Sequence, residues 1–112
     1  MNCVSISGRF TKDPEIHVNS KGKSWTRFTI AIPAPMANGR DADFIRCVAW
    51  DGLAEFICTN FVKGKKIEIV GELRSNTVES ETGEKKTSME VNVEKAFYAE
   101  KREKSEDLRE NP

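Results

Sequence analysis

Alternation of apolar and polar residues, the mark of a half-buried strand, recurs along this chain, and a compact instance is Ala42 to Trp50. The segment is rich in β-branched and aromatic residues and too short to favour a helix. In a strand, successive side chains point to opposite faces. Ile45, Cys47 and Ala49 then share one face, small and apolar, suited to a tight core. Phe44, Arg46, Val48 and Trp50 share the other. Two large aromatics flanking a guanidinium admit two readings. Either this face is also buried and Arg46 pairs with a carboxylate, or it is an open platform on which unpaired nucleic-acid bases stack. The segment alone supports both.

The remaining elements follow from the same periodicities. Asn2 to Phe10 alternates, with Val4 and Ile6 on one face and Cys3, Ser5 and Ser7 on the other; Gly8 marks a bend of the kind that closed barrels need. Thr11-Lys12-Asp13-Pro14 is a turn, and Glu15 to Val18 a short extended continuation. Asn19-Ser20-Lys21-Gly22-Lys23 is a hairpin turn in which Gly22 takes positive φ. Ser24 to Ile32 is the next strand, with Phe28, Ile30 and Ile32 toward the core and Trp25, Arg27 and Thr29 outward. An aromatic and an arginine again share the outer face. Trp25 either stacks a base or packs on a loop or a neighbouring subunit.

Pro33 to Asp41, with two prolines and a glycine, is expected to be a mobile loop. Past Asp51-Gly52, the residues Leu53, Phe56, Ile57 and Phe61 fall on one helical face, so a helix is predicted over Leu53 to Val62, stopped by Lys63-Gly64-Lys65. Lys66 to Arg74 is a fourth strand with Ile67, Ile69 and Leu73 inward, a bend at Gly71, and Val78 in an extended arm beyond it. Ser80 to Lys85 is a second hairpin turn. Thr87 to Val93 is a fifth strand with Met89, Val91 and Val93 inward, continued by Ala96 and Phe97. From Glu100 to Pro112 the composition shifts to four basic and five acidic residues with one leucine, a frayed helix or a disordered tail.

Five short strands with one helix between the third and fourth is the order of an all-β OB-fold, a small Greek-key barrel, here over residues 1–99 with a charged tail at 100–112. In that fold strands 2 and 3 carry the oligonucleotide site. These are the two strands whose outer faces hold aromatic-plus-arginine sets, and the coincidence favours the platform. Arg27, Arg40 and Arg46 on that face or its adjoining loop are candidates for phosphate contact. Lys21 and Lys23 in the first hairpin and Lys85 and Lys86 in the second are candidate lateral clamps, or simply solubilising charges.

Composition narrows the function further. The length of 112 residues fits one domain. The 18 basic and 18 acidic residues cancel, which argues against a basic coat but leaves room for charge segregated by face. Three cysteines at wide spacing, with no CxxC, make neither a disulfide framework nor a metal site, so no metal and no cofactor are expected. The start lacks a signal-peptide pattern and no stretch is long and apolar enough for a membrane span, so a soluble protein of a reducing, cytoplasmic compartment is expected. The single histidine, His17, lies beside a turn and reads as a surface residue. With no HExxH, GxSxG or Gly-rich phosphate loop, an enzyme is not expected.

The chain also resembles the bacterial and phage single-stranded DNA-binding proteins. The resemblance is carried by Met1-Asn2-Cys3-Val4 with Gly8-Arg9-Phe10-Thr11-Lys12-Asp13-Pro14-Glu15, by Phe28-Thr29-Ile30-Ala31, by Asp43 to Trp50, by Leu53-Ala54-Glu55 with Lys63-Gly64, and by Val70-Gly71-Glu72-Leu73-Arg74. Order and spacing together make it specific. It implies sequence-independent coating and protection of single-stranded DNA during replication, recombination or repair. It implies base stacking at Phe44 and Trp50, with three further family stacking positions falling on the non-aromatic Met36, Val78 and Thr87, and hence weaker binding than in fully aromatic members. Trp25 is a candidate to compensate.

The resemblance also implies a homo-oligomer, most often a tetramer, with a dimer the other option. The small residues Cys3, Ser5 and Ser7 would allow close subunit approach. Cellular members end in an acidic tail with a hydrophobic tip that recruits replication enzymes. The mixed-charge ending Leu108-Arg109-Glu110-Asn111-Pro112 departs from it, which points to a phage, plasmid or mobile-element member. The rival reading is an OB-fold protein-interaction module of a replication-restart complex with weak DNA binding. RNA binding stays open, because stacking and phosphate contacts do not read the 2′-OH.

Overall fold

The computed structural model describes residues 1–37 and 40–100, without the side chains of 35–37 and 40. Six strands and one helix follow in order: β1 (Val4–Phe10), β2 (His17–Val18), β3 (Ser24–Ala37), β4 (Arg40–Trp50), α1 (Asp51–Asn60), β5 (Lys66–Glu79) and β6 (Lys85–Tyr98). The strands pair in the order β1-β5-β6-β4-β3-β2, and β1 also pairs with β3. That second pairing closes a five-stranded barrel, with the two-residue β2 added to the outer edge of β3. The architecture is the OB-fold, with its helix between the third and fourth barrel strands.

Closure turns on two glycines. Gly8 lies where β1 passes from β5 (Gly8↔Ile67) to β3 (Phe10↔Ile30). A Cβ there would sit 2.7 Å from the Ala31 carbonyl oxygen, so only glycine lets the strands approach. Gly71 follows a register irregularity at Val70/Gly71, and a Cβ on it would run into the Asn92 carbonyl. Both bends coincide with those expected from the sequence.

Inside the barrel, Phe28, Phe10, Phe61 and Tyr98 form a line of stacked rings, with successive centroids 4.8, 5.4 and 5.3 Å apart. Ile30, Cys47, Ala49, Ile57, Ile67, Ile69 and Val91 pack around it, fully buried. Helix α1 adds Ala54 and Ile57 to this core. Asp51 takes φ 54°, a left-handed conformation that aspartate tolerates, and turns the chain from β4 straight into α1.

Several expectations are corrected. The helix ends at Asn60, and the Phe61 amide bonds to the Ile57 carbonyl; Gly64, at φ 88°, belongs instead to a separate turn in which the Lys65 amide bonds to the Val62 carbonyl. Residues 33–37 were expected in a loop but continue β3. The ladder to β4 is irregular between Pro33 and Ala37, where two prolines supply no amide donors. Leu73 and Met89 keep the inward phase yet are 40% and 52% exposed, because β5 and β6 run past the barrel wall as a free hairpin. Val48, expected on the open face, is buried. The charged segment from 101 onward lies outside the described residues.

Candidate nucleic-acid interface

The antiparallel β3–β4 ribbon has one face in the core and one outside. Its register sets the outer rows as Trp25↔Trp50, Arg27↔Val48, Thr29↔Arg46 and Ala31↔Phe44. From Phe44 to Trp50 the platform is about 20 Å long, at roughly 3.3 Å per residue. Phe44 is 64% exposed and Trp50 41%, so both rings offer area to a ligand.

At the Trp50 end the aromatics continue across strands. The Trp25 and Trp50 centroids are 6.3 Å apart. His17 on β2 is paired with Trp25 and stacks on it at 4.6 Å with planes 28° apart. The Arg27 guanidinium carbon lies 5.4 Å from the Trp25 centroid, within cation–π reach. Three strands thus present a row of rings, His17–Trp25–Trp50, edged by a guanidinium.

The two arginines of this face differ. Arg27 Nε donates to Glu90 Oε1 at 3.0 Å and Nη2 to Oε2 at 3.3 Å, a bidentate pair. The pair reaches from β3 to β6 across β4, which explains why Val48, directly opposite Arg27, is buried. Arg46 donates from Nη2 to the Ser88 hydroxyl at 3.2 Å and is otherwise exposed. Among the described residues no carboxylate contacts Arg46, so it is the better placed of the two for a phosphate. Behind them, burial pushes the Cys47 thiol up to about 12, helped by the negative charge of Glu90.

Two depressions border the platform. One of about 300 Å³ lies between the loop carrying Lys12, Asp13 and Glu15 and the ribbon residues Arg27, Thr29 and Arg46, with His17 on its wall. The loop is pinned by the Lys63 amide, which donates to Asp13 Oδ1 at 2.8 Å. The other, of about 340 Å³, lies beside Phe44 and is lined by Leu73, Ser88, Met89 and Glu90.

The lysine candidates do not converge. Lys21 and Lys23 are exposed in the β2–β3 hairpin, where the Asn19 Oδ1 accepts from both amides, and the Lys23 ammonium is 3.9 Å from Asp51. Lys85 and Lys86 are exposed on the β5–β6 hairpin. Because β6 runs parallel to β4, they lie toward the Phe44 end, opposite the first pair. Val78 faces Lys86 on the side of the hairpin that also carries Ser88 and Glu90, and is exposed. Thr87 points to the other side, its hydroxyl 3.2 Å from that of Thr77. The side chains of Met36 and Arg40 lie outside the described residues.

The comparisons with known proteins agree with this architecture. A model of the Single-strand binding protein family matches residues 1–98. The chain belongs to that family. It is 41% identical over 105 residues to the single-stranded DNA-binding protein of Fusobacterium nucleatum, which covers 89% of this chain and 68% of that protein. It is 39% identical over 95 residues to the single-stranded DNA-binding protein of Thermotoga maritima, covering 80% and 67%. It is 33% identical over 103 residues to single-stranded DNA-binding protein A of Bacillus subtilis, covering 89% and 60%. The chain thus spans from 60% to 68% of the length of these family members.

Within the family's fold, sequence reasoning missed four residues on or bordering this face. Glu90 engages Arg27 from 63 positions away, and no local pattern announces it. Met89 and Leu73 read as core because their alternation does not stop where the barrel does. His17 had a usable signal: a hairpin closing through Asn19 and Lys23 sets His17 opposite Trp25.

Proposed function

We propose that this chain binds single-stranded DNA without sequence preference, coating and protecting exposed strands during replication, recombination or repair. The observation that carries the reading is the exposed face of the β3–β4 ribbon, where Phe44, Trp50 and Trp25 stand with Arg46. Rings accept any base face, and an unneutralised guanidinium beside them accepts the phosphate path. The names of the relatives support the same ligand. Phe44, Trp50 and Trp25 are the stacking residues in this reading, with Met36 and Val78 as weaker apolar contacts. Arg46 is the first phosphate ligand, Arg40 and the two lysine pairs are flanking ones, and Arg27 contributes through Trp25. The work is binding and not catalysis, with no cofactor.

Copies of the chain assemble in this reading, most simply as a tetramer. The outer surface of β1, β5 and β6 supports it: Ser7, Glu68 and Phe97 form one cross-strand row there, with Phe97 47% exposed, and Ser5 and Val70 lie in the next. Light scattering on the purified chain tests it. Among the described residues no helix is long and apolar enough to cross a membrane. Action on DNA in the cytoplasm, at the nucleoid, is part of the proposal.

Fluorescence anisotropy with labelled oligo(dT), against a duplex of equal length over a salt series, tests the ligand. Tighter binding to the single strand, weakening with salt, is expected. Equal affinity for both forms contradicts the proposal. No response to either would turn the reading to the protein-interaction module.

A further inference from the structure

We propose that His17 is a nucleic-acid contact of this chain, the outer rung of the row His17–Trp25–Trp50, on which a further base stacks. The inference rests on the single-strand reading above. Three observations carry it.

First, the stacking is built into the register. His17 is the cross-strand partner of Trp25, and Trp25 of Trp50, so the three rings are positioned by backbone pairing and not by a side chain free to wander. At 4.6 Å and 28° the imidazole continues the indole stack. Second, β2 is the last strand on its side of the sheet. Among the described residues no strand pairs beyond β2 on that side, and His17 is exposed, so the row opens to solvent there and a base can extend the stack. Third, His17 shares the depression of about 300 Å³ with Arg46, the first phosphate ligand of the reading above.

The charged groups facing this end of the row are Lys12, Asp13 and Glu15 of the loop before β2, Arg27 on β3 and Arg46 on β4. Asp13 is engaged by the Lys63 amide and Arg27 by Glu90. Lys23 and Asp51 form their own pair nearby. His17 is the single histidine of the chain.

The test is titration of the full chain with labelled oligo(dT) for the wild type, H17F and H17A. H17F keeps a ring and should bind as the wild type does. H17A should bind roughly five-fold or more weaker. His17 is exposed on a two-residue edge strand, and circular dichroism confirms that each variant is folded. An H17A chain with the affinity of the wild type overturns the inference while leaving the single-strand reading intact. A folded wild type that does not bind overturns the site reading itself, and the inference with it.

Discussion

The two faces of the β3–β4 ribbon are made by alternate residues of the same two strands, and they obey different rules. The inner face carries Phe28, Ile30, Cys47 and Ala49, all buried, where side-chain volume decides what fits. The outer face carries Trp25, Arg46, Phe44 and Trp50, which are half-buried or exposed. A binding surface on a strand needs this division, because a rigid inner face holds the outer rings at fixed spacing without their having to pack. Val48 is the exception that shows how the outer face is itself organised. It is covered by the Arg27–Glu90 pair, which ties β3 to β6 across β4.

The comparison breaks most readily on its inner side. Ile30→Ala should cost about 2–5 kcal/mol of stability by urea unfolding, while the folded fraction still binds oligo(dT) as before. On the outer side, Trp50→Ala and Phe44→Ala should each weaken binding by about 1–3 kcal/mol, and Phe44→Ala should shift stability by less than about 0.5 kcal/mol. Unchanged affinity in both would remove this face from the site. The two arginines sharpen the contrast within the outer face. Arg46→Ala should flatten the salt slope by about 0.7 and leave the midpoint of unfolding in place. Arg27→Ala should cost about 1–3 kcal/mol of stability, because the Glu90 side chain, 10% exposed, loses its partner.

The smallest effects are chemical. A thiol reagent at neutral pH should modify the exposed Cys3 first and leave Cys47 untouched until the chain unfolds. The Cys47 thiol is raised from its ordinary 9.0 to about 12. A raised value means that the native state holds the proton more tightly than the unfolded chain. This contribution is therefore complete below pH 9 and lost as pH climbs toward 12. Alkaline unfolding that Cys47→Ala leaves unaltered would show that the thiol plays no part in it.

Much of the fold was legible because the signals are local. Gly22 and Gly83 sit at positive φ in the two hairpin turns that the polar clusters mark, and strand alternation places Phe28, Ile30, Cys47 and Ala49 inward. What escaped depends on distance or on where a pattern stops. Pro33 and Pro35 look like loop residues, yet a ribbon can carry them where the ladder is already irregular. Lys63-Gly64-Lys65 has the composition of a helix stop but serves a later turn, since Phe61, turning into the core against Phe10, ends the helix first. Alternation through Leu73 and Met89 says which way a side chain points and not whether a barrel wall stands opposite. At the candidate site, Phe44, Arg46, Trp50 and Trp25 were legible as one face from their spacing. The neutralisation of Arg27 by Glu90 was not, because it depends on β6 coming to lie beside β4.

In the proposed reading the outer face of the ribbon stacks single-stranded bases, and the chain carries its own reporters there. Its two tryptophans, Trp25 and Trp50, are both in the row. Intrinsic fluorescence titrated with oligo(dT), and with duplex DNA, at low and high salt reads that face directly. Strong quenching by the single strand alone, relieved by salt and reduced in Trp50→Phe, is expected. A folded chain whose tryptophan emission ignores the single strand would contradict it.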